Sequence, residues 1–178
     1  MLNGFLQLER ERVGWRFWIL WVLATNAGFF PGLALGKLLS DSADEPLASA
    51  IVGGSFGALA GVAQWIVLRR HIAPCHHWIT ATAAGWLLGG GLGAFLLIHF
   101  APRVSPDSPA WVLSIGFLAG AVVGIPQYGV LRRFGAGLSA WWVPISSVAW
   151  GVFFPGAISG LFLALRLERT AWHEDRLK

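Results

Sequence analysis

Five long apolar stretches dominate the sequence and restrict what the chain can fold into. They cover residues 15–39, 46–68, 78–100, 110–131 and 142–165. A helix needs about 20 apolar residues to cross the hydrocarbon core of a bilayer, and each stretch is at least that long. Short segments rich in turn-forming and charged residues separate them. The sequence therefore predicts an all-α, polytopic transmembrane helical bundle of about five spans, in a single domain over residues 1–178.

The balance of apolar and charged residues supports a membrane location. Apolar residues make up 56% of the chain and charged residues only 12%, and the mean hydropathy is +0.62. An ordinary soluble domain carries about 25% charged residues. Because there is too little charge here to cover a water-facing surface, the excess apolar surface must face lipid.

The two ends of the chain are more polar than its middle. Residues 1–14 place apolar side chains at roughly helical spacing among charged ones, which predicts a short interfacial helix. Residues 166–178 are predicted to be a polar tail. The first apolar stretch is too long for the core of a signal peptide, so we expect the N-terminus to be retained. The single cysteine, Cys75, excludes an internal disulfide.

The positions of lysine and arginine predict the orientation, because short basic loops stay in the cytoplasm. A cytoplasmic N-terminus places the pairs Arg69-Arg70 and Arg132-Arg133 on the cytoplasmic side, whereas the opposite loops hold only Lys37 and Arg103. We therefore expect a multi-pass protein of the inner (cytoplasmic) membrane, or of a comparable energy-transducing membrane, with its N-terminus in the cytoplasm.

The C-terminal tail conflicts with this orientation. An odd number of spans would place it outside, although residues 166–178 contain four basic residues. Two interpretations stay open. Either the acidic residues of the tail neutralise most of that charge, or the last apolar stretch, which contains Pro144 and Pro155, does not span and the chain has four spans.

Tryptophans are abundant near the ends of the apolar stretches. An indole ring is half apolar and half polar, so it favours the boundary between lipid and water. We expect most of the eleven tryptophans to be interfacial anchors. The clearest examples by position are Trp15, Trp18, Trp78, Trp111, Trp141 and Trp142.

An internal repeat is the most specific signal in the sequence. Residues 53–70 match residues 116–133 at a shift of 63 positions, with eight identities among nine key positions. The shared pattern is three glycines four residues apart, then glutamine, an aromatic residue, Val-Leu and Arg-Arg. Because one span separates the copies, helices two and four should cross in the same direction, which makes this a parallel repeat.

The glycines of the repeat predict close helix packing. Glycines at i, i+4 and i+8 form a groove that lets a neighbouring backbone approach. The predicted packing residues are Gly53, Gly57, Gly61, Gly116, Gly120 and Gly124. The glutamines lie three residues beyond the last glycine, on the same face. Gln64, Gln127 and, in the first span, Asn26 are predicted to form interhelical hydrogen bonds, although the glutamines could instead line a ligand site.

The arginine pairs have two interpretations. Either they set the topology, or they bind anionic lipid head groups or an acidic partner; the residues are Arg69, Arg70, Arg132 and Arg133. Nucleic acid is not an expected partner, because the basic residues are dispersed and form no basic face.

Histidines offer the remaining candidate ligands. The segment from His71 to His77 holds one cysteine and three histidines, but their spacing matches no strong zinc pattern, so we predict no metal site. His99 is a candidate ligand for haem or a chlorophyll-type pigment. No cofactor is predicted firmly; the candidates are bound lipid, pigment and haem.

The apolar stretches contain no aspartate or glutamate. Ionisable residues at depth mark ion pumps, proton-coupled transporters and most intramembrane hydrolases, so their absence favours a protein that is not an enzyme. We expect an accessory or scaffolding subunit of a larger membrane complex that contacts lipid and other subunits or copies of itself. The alternative is a small oligomeric channel or transporter for a neutral or lipid-like solute.

Overall fold

The structure, a computed structural model, describes residues 14–72, 75–100, 108–133, 141–152 and 155–175. The interfacial helix predicted for residues 1–14 lies outside these residues except for Gly14, as does the end of the polar tail. The described residues form seven helices and no strand. The helices are α1 (Trp15–Ala27), α2 (Phe29–Leu39), α3 (Glu45–Leu68), α4 (His77–Phe100), α5 (Pro109–Arg132), α6 (Trp142–Gly151) and α7 (Pro155–Asp175).

Within the described residues, four helical stretches are long and apolar enough to cross a membrane. They are Trp15–Leu39, which comprises α1 and α2, and then Glu45–Leu68, His77–His99 and Leu113–Arg132. The predicted all-α bundle is therefore confirmed, and its length and composition are those of a membrane protein.

Local sequence explains where the first two spans begin and end. Gly28 joins α1 to α2 without ending the span, and its carbonyl accepts a hydrogen bond from the Gly32 amide at 3.1 Å. Asp44 caps α3, because its carboxylate accepts a hydrogen bond from the Leu47 amide at 3.0 Å. Pro46 lies in the first turn of α3, where a missing amide hydrogen costs nothing.

The fifth apolar stretch differs from the prediction. It is not one helix but two, α6 and α7, with Pro155 as the first residue of the second. The rings of Trp142 and Phe162 are 6.2 Å apart, whereas 20 residues of continuous helix would separate them by about 30 Å. The two helices therefore fold back into a hairpin. Because α6 has 10 residues, the hairpin reaches only about half of the membrane thickness.

The helices form a closed ring of three antiparallel hairpins. The span of α1 and α2 packs against α3, α4 packs against α5, and α6 packs against α7. Neighbouring hairpins touch where α3 meets α4 and where α5 meets α6. The ring closes where α7 packs against α1. Two hairpins are thus long and apolar enough to cross a membrane, and the third fills only one half of the ring.

The arginines collect at one end of the ring. Phe17 at the start of α1 shares a buried cluster with Leu68, Leu131 and Leu167, near the ends of α3, α5 and the apolar part of α7. We call this the arginine end; its basic residues are Arg16, Arg69, Arg70, Arg132, Arg133 and Arg166. The opposite end holds Lys37 and the loop 40–44, and we call it the acidic end. Helices α3 and α5 run in the same direction, and α7 returns to the end where α1 begins.

Candidate functional site

Three tryptophans meet at the centre of the ring, towards the arginine end. Trp21, Trp78 and Trp142 come from α1, α4 and α6, the first helix of each hairpin, and each is at most 1% exposed. The Trp78 ring lies 5.7 Å from Trp21 and 5.6 Å from Trp142, in both cases at 66°. Edge-to-face contacts of this kind add to the stabilisation from burial. Trp78 and Trp142 are therefore core residues and not the interfacial anchors that their positions in the sequence indicated.

A hydroxyl group follows each central tryptophan by one helical turn. The residues are Thr25, Thr82 and Ser146, and all three are buried. The Thr25 hydroxyl donates to the Trp21 carbonyl at 2.9 Å, and the Thr82 hydroxyl donates to the Trp78 carbonyl at 2.8 Å. Because a hydroxyl oxygen can also accept hydrogen bonds, each threonine can receive a donor from another helix.

Gln64 joins three helices through its side-chain amide. The Gln64 nitrogen donates to the Thr25 hydroxyl on α1 at 3.0 Å. The Gln64 oxygen accepts from the indole nitrogen of Trp78, at the start of α4, also at 3.0 Å. This side chain is 7% exposed, so both of its bonds replace water.

Gln127 makes the same two bonds one hairpin further along. Its nitrogen donates to the Thr82 hydroxyl on α4 at 3.0 Å, and its oxygen accepts from the Trp142 indole on α6 at 3.0 Å. The two glutamines matched by the sequence repeat therefore occupy equivalent places in the ring.

Ser159 completes the polar layer at the third position. The Trp21 indole donates to the Ser159 hydroxyl at 3.0 Å, so a serine on α7 stands where the other hairpins have glutamine. Ser159 in turn donates to the Pro155 carbonyl. The ring of hydrogen bonds thus runs through all three hairpins.

A second aromatic layer closes the polar layer on its other side. Phe56, Trp86 and Trp150 meet there, with ring centroids 4.3 to 5.8 Å apart. Trp86 and Trp150 lie eight residues after Trp78 and Trp142, which corresponds to about 12 Å along a helix. Polar side chains are thus enclosed between two layers of aromatic rings.

The space left inside the polar layer is small. Its volume is about 20 Å³, enough for about one water molecule. Every residue that lines it is neutral. Within the described part of the chain, no buried side-chain nitrogen or oxygen lacks a hydrogen-bond partner. The arrangement holds helices together and offers no charged group for acid–base chemistry.

The repeat glycines of α3 lie against α4. A methyl group added at Gly57 would lie 2.7 Å from the Thr82 carbonyl oxygen, and one at Gly61 would lie 3.2 Å from the Ile79 α-carbon. At Gly53 it would collide with the Trp86 carbonyl.

The repeat glycines of α5 lie against α6 in the same way. A methyl group at Gly116 would lie 2.6 Å from the Trp150 carbonyl oxygen, and one at Gly124 would lie 3.1 Å from the Ser146 side chain. At Gly120 it would lie 2.5 Å from the Ser146 carbonyl oxygen. At Gly53, Gly57, Gly116 and Gly120 a methyl group would have to push the neighbouring helix away, whereas at Gly61 and Gly124 the contact is tight but not a collision.

Asn26 and His99 lie away from this polar core. Asn26 is exposed and donates to the Val22 carbonyl of its own helix at 2.8 Å, so the predicted interhelical bond is not made. Thr25, its neighbour, faces the core instead. His99 is exposed near the end of α4, with its Nδ1 2.9 Å from the Phe95 carbonyl oxygen and its ring stacked on Phe95.

The predicted arginine pairs lie at the arginine end. The Arg69 guanidinium lies 4.9 Å from the centre of the Trp65 ring, a cation–π contact. Arg70 lines a surface groove beside α1, and Arg132 and Arg133 are exposed.

A larger cavity lies on the other side of the second aromatic layer. This vestibule has a volume of about 430 Å³ and extends towards the acidic end, where Lys37 and Ser40 line it. Phe56 and Trp86 line both the vestibule and the small polar cavity, so they form the wall between the two. The vestibule lies in the half of the ring that the short third hairpin does not fill.

Ile72 and Cys75, between α3 and α4, form part of the packed core. Cys75 is 2% exposed, and burial raises the pKa of its thiol above the ordinary value, although a backbone hydrogen bond and Arg69 act in the opposite direction. His76 and His77 lie next to each other, with ring centroids 4.1 Å apart. No group of three or more potential metal ligands occurs in the described ranges.

Comparison with protein-family models, with curated proteins and with solved structures finds no match for the chain. The geometry described above therefore carries the functional argument alone.

The sequence did contain the signal for the parts of the core that the prediction missed. A tryptophan followed four residues later by threonine or serine occurs at residues 21–25, 78–82 and 142–146. This spacing alone did not indicate a core, because tryptophans are abundant near the ends of the apolar stretches and favour an interfacial interpretation there. Ser159 has no such signal, since nothing local distinguishes it from other serines in apolar helices.

Proposed function

We propose that the chain is a non-enzymatic multi-pass membrane protein that serves as a scaffolding or accessory subunit of a larger membrane assembly. One observation carries this proposal: the polar groups of the core bond to each other across the three hairpins and are enclosed between aromatic layers. Those groups therefore stabilise the fold, and interactions with other molecules fall to the outer surface and the membrane boundaries.

The chemistry of the core supports a role other than catalysis. General acid–base and nucleophilic catalysis need ionisable or activated side chains in a cleft. The polar cavity is lined by neutral side chains, and its threonine hydroxyls are held by carbonyl groups of their own helices.

The outer surface supports association within the bilayer. Helix α4 is the least buried of the membrane-length helices, with 17% of its apolar window buried. Its exposed side chains include Leu87, Leu88, Leu92, Phe95 and Ile98. Such a face contacts either lipid tails or a neighbouring membrane subunit.

We further propose that the arginine end faces the cytoplasm in the inner membrane. Positive residues cluster at that end, as the positive-inside rule requires. The hairpin of α6 and α7 brings Arg166 to the same end, which removes the conflict that five spans created.

Mild detergent extraction followed by mass spectrometry tests the scaffolding role. We expect membrane proteins to co-purify at fixed stoichiometry and to be lost when Leu88→Lys and Leu92→Lys charge the exposed face of α4. The same substitution at Leu161, an exposed residue of α7, serves as the matched control. Purification of only a homogeneous single protein would overturn the proposal.

An absorption spectrum of the same sample tests His99 as a ligand of haem or pigment.

The vestibule supports a second candidate function, the binding or passage of a neutral or lipid-like solute. Its volume falls within the range of about 300 to 1,000 Å³ that is typical of small-molecule sites, and only aromatic side chains separate it from the polar layer. If Trp86→Ala increases the flux of solute into proteoliposomes, the result favours this function over scaffolding. Unchanged flux in that variant would exclude it.

A further inference from the structure

A groove at the arginine end opens between the start of α1 and the end of α3. Its volume is about 400 Å³. Arg16 comes from the first turn of α1, and Arg70 and His71 follow the last turn of α3. Basic side chains from two elements thus converge on one surface depression.

The groove combines a basic end with an apolar wall. Leu20 lies one turn further into the membrane than Arg16, and Ile66 lies one turn further than Arg70, so both arginines mark the boundary. The two apolar side chains are 43% and 42% exposed and are therefore open to a ligand. The lining residues include no acid among the part of the chain that the structure describes.

A tryptophan marks the rim of the groove. Trp15 is 68% exposed and lines the groove beside Arg16. An exposed indole at the start of a span lies at the level of the lipid head groups. The basic end of the groove is therefore at head-group depth, and its apolar wall is at the depth of the acyl chains.

We propose that this groove is a binding site for one anionic phospholipid of the leaflet at the arginine end. The phosphate lies between the guanidinium groups of Arg16 and Arg70, which can form charge-assisted hydrogen bonds to its oxygens. An acyl chain lies along Leu20 and Ile66. Basic pockets between membrane helices on the cytoplasmic side favour lipids of this charge.

The repeat indicates that the site occurs once per chain. Arg16 stands five residues before Trp21, the first of the three central tryptophans. The residues five positions before the other two, Trp78 and Trp142, are Ala73 and Gly137. Arg133 matches Arg70 in the repeat, but no second arginine accompanies it from the start of the partner helix.

Native mass spectrometry of the purified protein with phosphatidylglycerol and phosphatidylcholine tests the proposal. We expect one phosphatidylglycerol to be retained in preference to phosphatidylcholine. The double variant Arg16→Gln with Arg70→Gln should weaken retention by about 30-fold, because each basic residue near a membrane surface strengthens the binding of anionic lipid by about fivefold. The double variant Arg132→Gln with Arg133→Gln changes the net charge equally and should retain the lipid.

Two further measurements test the apolar wall of the groove and distinguish a bound lipid from a bound free phosphate. Leu20→Trp narrows the apolar part of the groove without changing the charge, so it should also weaken the retention of phosphatidylglycerol. The test therefore does not depend on the arginine variants alone. Inorganic phosphate should not displace the lipid. The proposal is overturned if phosphate competes with the lipid, if phosphatidylcholine binds equally well, or if the lipid remains bound when Arg16 and Arg70 are replaced.

This inference deepens the proposed function by naming the lipid that the chain contacts. The result is measured as bound lipid and not as co-purifying protein. Failure of the lipid site would therefore leave the scaffolding proposal standing, and failure of scaffolding would leave the lipid site.

Discussion

At the scale of single residues, the core depends on polar side chains that have both a donor and an acceptor partner. Gln64 and Gln127 are primary amides, which can donate and accept at once, and each uses both capacities across a helix boundary. A leucine of similar size fills the same space but leaves an indole nitrogen and a hydroxyl without these partners.

Gln64→Leu is predicted to lower the free energy of unfolding by about 1 to 3 kcal/mol, because the Trp78 indole would lose its acceptor in a buried site. Thr25→Val leaves that indole paired but removes the acceptor of the buried Gln64 amide nitrogen. It should therefore also destabilise the bundle, by at least about the 0.6 kcal/mol that a membrane hydrogen bond contributes on average. Thermal unfolding in detergent measures both.

Thr80→Val is the matched control for these two variants. Thr80 is exposed, and its hydroxyl bonds only to the His77 carbonyl of its own helix. An equal loss of stability in all three variants would contradict the role assigned to the polar layer.

Cys75 is predicted to react slowly with maleimide in the folded protein. Its thiol is buried and its pKa is raised, so the reactive thiolate is scarce at neutral pH and increases only as the pH rises towards that pKa. Ser42→Cys adds a thiol on an exposed loop residue and should label rapidly in the same sample. Equal labelling of the two thiols would show that the loop does not pack as described.

At the scale of helices, glycine decides how closely neighbouring helices approach. The glycine faces of α3 and α5 lie against the helix that begins the next hairpin, so both contacts place backbone against backbone. Gly32 and Gly36 of α2 lie in the same way against α3. Close packing of this kind is the main source of helix association where lipid removes the hydrophobic driving force.

Gly57→Ala and Gly120→Ala are each predicted to destabilise the bundle by about 1 to 3 kcal/mol, because even one methyl group would meet a backbone carbonyl. Gly129 provides the control within α5, since nothing lies within 4 Å of a methyl group added there. Gly129→Ala should be neutral or stabilise by up to about 1 kcal/mol through helix propensity. Denaturant unfolding in micelles compares the three, and an equal effect in all of them would exclude the packing role.

At the scale of the whole molecule, three hairpins form a ring. All three hairpins are present in its half at the arginine end, and only two are present in its half at the acidic end. The short third hairpin completes the ring at the arginine end and leaves the vestibule open towards the acidic end. This arrangement also brings the start of α1 and the end of the apolar part of α7 to the arginine end.

A topology experiment tests this arrangement directly. Reporters before residue 14, at Ser139 and after Lys178 should all be protected from a membrane-impermeant reagent added outside, whereas a cysteine at Ser42 should react. Reaction at the position after Lys178 would instead support five spans. Because this result depends on the side of the membrane, it is independent of the stability measurements.

The sequence by itself determined the repeat and the four helices that are long and apolar enough to span a membrane, because hydrophobic length and glycine spacing are local properties that need no knowledge of partners. It also predicted a fifth span, which the structure shows as two shorter helices. The hydrogen-bond partners of Gln64 and Gln127 lie 14 to 45 residues away in the chain, so only tertiary structure decided which groups they join.

The last apolar stretch shows the same division. Its length of 24 residues permits either a span or a hairpin, and hydropathy does not distinguish them. Tertiary packing selects the hairpin, because the hydrogen bond from Trp21 to Ser159 forms only when α7 folds back and closes the ring against α1. The burial of Trp78 and Trp142 followed in the same way, since an indole becomes a core residue only where other helices surround it and supply an acceptor.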